Sequence, residues 1–247
     1  MKYDVIVVGG GPAGMFASII AAEQGSRVLL LESNNRLGKK LLITGKGRCN
    51  VTNRCTSQEV LQNIPRNGRF LFSALDAFGP DDIIRYFENN GCPLKTERGN
   101  RVFPLSDKSA TVLDCLQERL QKLGVTVITE KVKKLLVKDG EILGVVTVKQ
   151  EYFASNVILA TGGVSYPSTG STGDGYAMAA ALGHSVISPV GSLVPLETEG
   201  GDCQAMQGLS LRNVSLTVFE SGKKIYTDFG EMLFTHFGVS GPLILSA

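Results

Sequence analysis

Asp4-Val5-Ile6-Val7-Val8-Gly9-Gly10-Gly11-Pro12-Ala13-Gly14 stands near the start of the chain, and Arg27-Val28-Leu29-Leu30-Leu31-Glu32 follows shortly after. Residues 4–8 carry a β-branched apolar run, the mark of a strand buried on both faces. A helix is predicted from Pro12 to Glu23, where Gly14, Ala17, Ser18, Ala21 and Ala22 form a stripe of small side chains suited to close packing on a sheet. Gly25 ends that helix and Arg27–Glu32 is the next strand. The order βαβ implies a right-handed crossover and a parallel sheet. Within it, Gly9 to Gly14 fits G-x-G-x-x-G after a strand and at a helix start, the context a dinucleotide fingerprint requires. Gly9 allows the tight turn, Gly11 lets backbone approach a pyrophosphate, and Gly14 permits close helix–sheet packing. Pro12 and Ala13 open the helix, whose free N–H groups favour phosphate. Glu32 lies 18 residues past Gly14, where a carboxylate can accept hydrogen bonds from ribose hydroxyls. A glycine turn without ligand is the plain alternative, and the βαβ frame with Glu32 argues against it.

Composition sets the bounds. The 247 residues suffice for one large domain or one domain and a smaller companion, and 43% are hydrophobic, enough for a packed core. The net charge of +2 gives no global electrostatic case for nucleic acid. Cysteines at 49, 55, 92, 115 and 203 form no CxxC pair and only two His are present, which speaks against zinc and a disulfide framework. No metal site is expected. No apolar run reaches membrane-spanning length and the start does not read as a signal peptide. The expectation is a soluble cytoplasmic protein with free thiols and no membrane partner; its oligomeric state stays open.

Further along, residues 79–91 read as a helix opened by Pro80, Asp81 and Asp82. Ser106 is expected to N-cap another, with Val112, Leu113, Leu116, Leu120 and Leu123 as its apolar face and Gly124 as its stop. Val125–Ile128, Val132–Val137, Ile142–Val148 and Tyr152–Ala160 read as strands, with Asp139-Gly140 as a hairpin turn. A second β region, Val214–Phe219 and Lys224–Asp228, flanks Ser221-Gly222. A boundary near Pro189–Gly191 divides the chain into domains 1–190 and 191–247.

Three later segments bear on which dinucleotide is bound. Residues 38–53, GKKLLITGKGRCNVTN, form a donor-rich loop suited to phosphate or a flavin ring, or a polar surface loop. VILATGG at 157–163 ends a buried strand in Thr and two glycines. GSTGDG at 170–175 opens an Ala-rich helix from Tyr176 to Leu182 and offers a second helix N-terminus, or simple capping by Asp174.

Taken together, GGGPAG with Glu32, TGKGRCNVTN, ATGG with YPSTGSTGDGY, and GEMLFTHFGVSGP resemble the BaiN-like flavoproteins, which include aminoacetone oxidases, over essentially the whole chain. The resemblance implies an α/β fold: a Rossmann-like, glutathione-reductase-type FAD domain with an antiparallel meander and a partial β-rich insertion. It implies that Gly9–Gly14 and Glu32 hold the ADP half of FAD, with Ser33 and Lys40 as further cofactor-binding residues. Thr44, Gly45, Arg48, Cys49 and Asn50 would line the flavin side. Val132 would contact adenine through its backbone. Ala160, Thr161, Gly162 and Gly163, with Asp174 and Gly175, would close over the cofactor. The family pattern continues past residue 247 with a helical insertion and a returning strand and helix, so the resemblance implies an incomplete site in this chain.

The expected chemistry is hydride transfer between a small amine, ketone or enone and flavin, with oxygen or NAD(P)H completing the cycle. Lys46, Arg48 and Asn50 are candidates to stabilise charge on reduced flavin. His236 is either flavin-facing and catalytic or a loop His bonded to backbone. Cys49 and Cys55 stand near the place of a redox pair, but five residues separate them where that pair has four. Lys131, Lys133, Lys134 and Lys138 read as a solvated strand face. Glu97–Pro104, ERGNRVFP, resembles a family stretch without a chemical role. The competing readings are a flavin-binding module without turnover and a disulfide- or RNA-modifying flavoenzyme.

Overall fold

A computed structural model describes residues 2–247. Its contacts divide the chain into two compact units between Val186 and Ile187. In chain order the first unit contains β1 (Lys2–Val8), α1 (Pro12–Glu23), β2 (Val28–Glu32), β3 (Thr52–Asn53), α2 (Ser57–Gln62), α3 (Phe72–Ala77), α4 (Pro80–Asn89), β4 (Leu94–Glu97), β5 (Arg101–Pro104), α5 (Ser109–Lys122), β6 (Thr126–Thr129), β7 (Val132–Lys138), β8 (Glu141–Thr147), β9 (Glu151–Leu159) and α6 (Asp174–Ala181). The second contains β10 (Leu196–Glu197), α7 (Asp202–Ala205), β11 (Ser210–Glu220), β12 (Lys223–Thr235), β13 (Gly238–Ser240) and α8 (Pro242–Ser246).

A six-stranded sheet in the order β6-β2-β1-β9-β8-β7 organises the first unit. β6, β2, β1 and β9 run parallel, and β9-β8-β7 is an antiparallel meander. The apolar runs of β1 and β2 are buried on both faces because the strand period sends alternate residues to opposite sides. Val7, Val28 and Leu30 join Met15 and Ile19 of α1 and Val112, Leu113, Leu116 and Leu120 of α5. Ile6, Val8, Leu29 and Leu31 face the other way and pack with Val132, Val145, Ala154 and Met178. The meander turns at Asp139 (φ 52°) and Gly140 (φ 80°), both left-handed as a two-residue hairpin of this kind requires.

Two local expectations are corrected. Ser106 does not cap α5: Lys108 stands at the N-cap with no side-chain bond, and the Ser106 hydroxyl instead pairs with Thr111 Oγ1 at 2.7 Å. The left-handed Asp107 (φ 57°) turns the chain between Ser106 and the helix and displaces the start. α6 begins at Asp174 rather than Tyr176, and the Asp174 side chain does not cap it. In α1, Gly14 and Ser18 of the small-residue stripe are buried, and Met15 and Ile19 are fully buried beside them. A three-stranded sheet β3-β5-β4 lies between α1's region and α5 in sequence and carries the ERGNRVFP stretch.

The second unit is a four-stranded antiparallel sheet, β10-β13-β12-β11. Ser221 and Gly222 form its left-handed hairpin turn, and α8 buries Leu243 and Ile244. Among the described residues no helix is long and apolar enough to cross a membrane.

Candidate functional site

The carboxyl ends of β1 and β9 point the same way and leave a cleft of about 270 Å³ between the Gly9 turn and the Ala160 turn. In open parallel sheets this is where ligands bind, at the point where connections leave neighbouring strands in opposite directions. α1 opens on the cleft with Gly11 at its N-cap. No side chain caps it and no acidic residue stands in its first turn. Its end therefore keeps backbone donors without a side-chain cap, which favours an anion.

The three fingerprint glycines are required for different reasons. Gly9 is left-handed (φ 109°), and a Cβ there would lie 2.4 Å from Ala160 O. A Cβ on Gly14 would lie 1.8 Å from Gly9 O, so the strand and helix could not approach this closely. A Cβ on Gly11 would meet no protein atom within 4 Å. Nothing in the chain itself demands glycine at 11, and the bare backbone there faces the cleft.

Glu32 ends β2 almost fully buried. Its Oε2 accepts the Gly10 N–H at 2.7 Å, and its Oε1 accepts from the Asn34 backbone N–H and Nδ2, each at 2.7 Å, and from Ser33 Oγ at 3.2 Å. Oε1 is saturated by these donors, whereas Oε2 keeps acceptor capacity toward the cleft. Asn34, absent from the residues singled out in the sequence, is thus what orients the carboxylate. Lys39 Nζ donates to Ser168 O and Lys40 Nζ to Ser165 O, both at 2.7 Å, and Asn34 Nδ2 donates to Thr169 O at 3.2 Å. These bonds tie the 165–170 turn to the segment after β2. On the opposite wall Lys131 pairs with Asp174 at 2.7 Å and holds that carboxyl below its ordinary range.

The cleft wall brings together Gly9, Gly11, Pro12, Ala13, Glu32, Ser33, Lys40, Val132, Ala160, Thr161, Gly162 and Asp174 of the expected residues. Gly14 lies behind it in the helix–sheet contact. Gly175 is buried against Thr161, where a Cβ would lie 2.1 Å from Oγ1. Gly163 lies just beyond Gly162 and does not line it. The wall also includes Gly38 and Lys39 from the donor-rich 38–53 segment, Ser171 from the 170–175 segment, and Glu130, which had not been singled out. Only the family-like GKK and STG stretches could have pointed to Gly38, Lys39 and Ser171; Glu130 carries no sequence signal.

Thr44, Gly45, Arg48, Cys49 and Asn50 are not on this wall. They form a separate turn in which Gly45 (φ 56°), Lys46 (57°), Gly47 (84°) and Cys49 (61°) are left-handed. Thr44, Gly45 and Asn50 are exposed and Cys49 is buried. Arg48 is not a free cation: it pairs with Glu97 at 2.5 Å and Asp107 at 2.6 Å and lies 4.1 Å over the Phe103 ring. His236 is exposed in the turn between β12 and β13, edge-on to Phe237, in the second unit. All five cysteines are free, and among the described residues no group of three or more His, Cys, Asp or Glu could hold a metal.

This fold is the Rossmann-like, FAD-binding α/β class. The model for the HI0933-like protein Rossmann domain matches residues 3–241, and the chain belongs to that family, one of flavin-dependent oxidoreductases. The chain is 31% identical over 237 residues to a 3-dehydro-bile acid delta(4,6)-reductase of Clostridium scindens, covering 95% of this chain and 57% of that protein. It is 31% identical over 247 residues to a ribosomal RNA dihydrouridine synthase of Haemophilus influenzae, covering 97% and 59%. Sdh1 of Mycobacterium smegmatis in complex with UQ1 has a similar structure, with TM-score 0.55, 26% identity, and 74% of this chain and 38% of that one covered. The chain thus spans less than two thirds of these relatives' length.

Proposed function

We propose that the chain binds FAD along the cleft at β1 and β9 and serves the reduction of a carbon–carbon double bond conjugated to a carbonyl. The observation that carries the cofactor reading is the contrast at the fingerprint: glycine at 9 and 14 is demanded by the protein's own packing, whereas a Cβ at 11 would meet no protein atom and would point into open space at the cleft. In this reading the uncapped start of α1 holds the pyrophosphate and Glu32 Oε2 accepts from the ribose. Val132 lies at the adenine end. FAD when bound supplies the hydride chemistry. The chain's part is to hold and orient it, within an FAD-binding domain of residues 1–190 followed by a β-rich domain. Reduction of the alkene leaves the flavin oxidised, so a hydride donor such as NAD(P)H completes the cycle.

The substrate class rests on the relatives' names. A delta(4,6) 3-oxo compound and uracil both present an alkene conjugated to a carbonyl, so one chemistry covers both. A small enone is the first reading. RNA is the second, favoured by the dihydrouridine synthase matches, whereas the net charge of +2 gives no support.

The test is an absorbance spectrum after incubation with FAD and desalting. Retained flavin bands are expected; retention of NAD(H) and not FAD overturns the reading. The flavin is then reduced anaerobically and mixed with cyclohexenone or with a uridine-rich RNA. Return of the oxidised spectrum with the enone supports the first reading, and with RNA alone the second.

A further inference from the structure

The ERGNRVFP stretch and the Arg48 turn meet in space. β5 pairs with β4 through Thr96↔Val102 and Glu97↔Arg101, which sets Glu97 beside Arg48. The turn before α5 brings Asp107 to the same guanidinium, where Arg48 Nε donates to Asp107 Oδ1 at 2.8 Å. Lys95 joins the two acids from the other side, with Nζ 2.5 Å from Asp107 Oδ2 and 3.4 Å from Glu97 Oε1. Two cations and two carboxylates thus form one closed cluster, with Arg48 over the Phe103 ring. Phe103 also backs the turn itself: a Cβ on Gly45 would come 3.3 Å from its ring. The acids hold Arg48 above its ordinary pKa, Glu97 first and Asp107 second, and both acids lie below theirs, so all are ionised at neutral pH.

What the cluster holds is a conformation unfavourable in isolation. Lys46 and Cys49 are non-glycine residues in the left-handed region, each in the range that persists only where surroundings over-determine it. The backbone bonds Arg48 N–H to Gly45 O and Cys49 N–H to Thr44 O close the turn on itself, and Val51 N–H to Val102 O joins it to β5. Arg48 is the one side chain in the turn with charged partners, and those partners lie 49 and 59 residues away.

We propose that Glu97 and Asp107 are positioning residues: by clamping Arg48 on Phe103 they hold the Thr44–Asn50 turn in the strained shape that presents it to the flavin side of the cofactor. The last clause rests on the FAD reading; the clamp itself is a property of the chain. A planar guanidinium gripped by two carboxylates fixes direction as well as charge, which an ammonium would not.

The experiment compares the unaltered chain with the double variant Glu97→Gln/Asp107→Asn and with Arg48→Lys. Tryptic cleavage after Lys46 is timed without FAD, and the dissociation constant and visible spectrum of bound FAD are then measured. The expected result is cleavage about tenfold faster in the double variant, and FAD affinity about tenfold weaker with a shifted flavin band, a local opening with the global fold intact. Arg48→Lys should show the same direction on both readouts. Asp107→Glu, which keeps the charge, should restore most of the protection. Unchanged cleavage overturns the proposal. Faster cleavage with FAD affinity and spectrum unchanged also overturns it, while leaving the FAD reading intact. Failure of the unaltered chain to bind FAD defeats that reading and the presentation to flavin with it, and the cleavage rates then decide the clamp alone.

Discussion

The cleft at β1 and β9 and the Thr44–Asn50 turn are both glycine-rich, yet they are held by opposite means. The core of the cleft is built from backbone and close packing, with side-chain ties from Lys39, Lys40 and Lys131 at its rim: Gly14 lets α1 sit against the Gly9 turn, and the buried Glu32 is fixed by donors from Gly10 and Asn34. The turn is exposed, strained at Lys46 and Cys49, and held by charges from distant segments. A site whose shape is set by packing resists local opening, whereas one set by half-exposed ion pairs can open without unfolding the sheet.

The strongest test of that contrast lies inside the fingerprint. Gly14→Ala should destabilise by about 3 kcal/mol and lower the melting temperature by roughly 10 °C, because the new Cβ meets backbone that cannot yield cheaply. Gly11 has φ −75° and ψ 179°, comfortable for alanine, so Gly11→Ala should stay within about 0.5 kcal/mol of the parent while losing retained FAD. Thermal melts and the desalting assay measure the two effects. Equal destabilisation at both positions would mean that packing, not a ligand, explains the glycine at 11.

Glu32 is next in size. Glu32→Gln replaces an acceptor with an amide that must set a donor against either Gly10 N–H or the Asn34 donors. The expected loss is about 2 kcal/mol by urea denaturation, with weaker FAD retention. A neutral result would show that the cleft tolerates a missing charge and is less tightly specified than its hydrogen bonds suggest.

What the sequence made legible follows the same divide. Local signals carried β1, α1 and β2, the Asp139-Gly140 turn, and the apolar face of α5, because each depends on residues within a few positions. The capping box of α2, Thr56 with Glu59, had its signal in T-x-x-E and went unread. Ser106 misled because a left-handed Asp107 intervenes, which nothing about serine foretells. The carboxylates on Arg48 and the ties from Lys39 and Lys40 to residues 165–168 were beyond reach, since both join segments far apart in sequence.

The ion cluster predicts a pH response of definite sign. Glu97 and Asp107 have depressed folded-state pKa values, so the stabilisation they give is complete above the ordinary carboxylate range and is lost as pH falls through their lower folded values. The Arg48 Hε resonance should therefore hold constant from neutral pH down to about pH 4 and move only below it. Movement at mildly acidic pH would mean that the clamp is already loose in the native chain. Added salt should shift the same resonance at neutral pH, because the pairs are only partly shielded from solvent.

The smallest effect expected is in thiol reactivity, and it tests how soft the turn is. Reactivity follows the thiolate and its access. Burial raises the Cys49 thiol, with partial relief from the Thr44 hydroxyl, and pushes Cys92 up to about 12. Cys55 and Cys203 are only half-buried. With a disulfide reagent at mildly alkaline pH, Cys55 and Cys203 should therefore react first, and Cys92 and Cys115 only on unfolding. Cys49 discriminates. It belongs to the packed core by its side chain and to the strained turn by its left-handed backbone. If the clamp holds, Cys49 reacts as slowly as Cys92 in the unaltered chain and faster once Glu97 and Asp107 are neutralised. If Cys49 keeps pace with Cys55 from the start, the turn opens on its own and the ion cluster is a consequence of its shape rather than the cause.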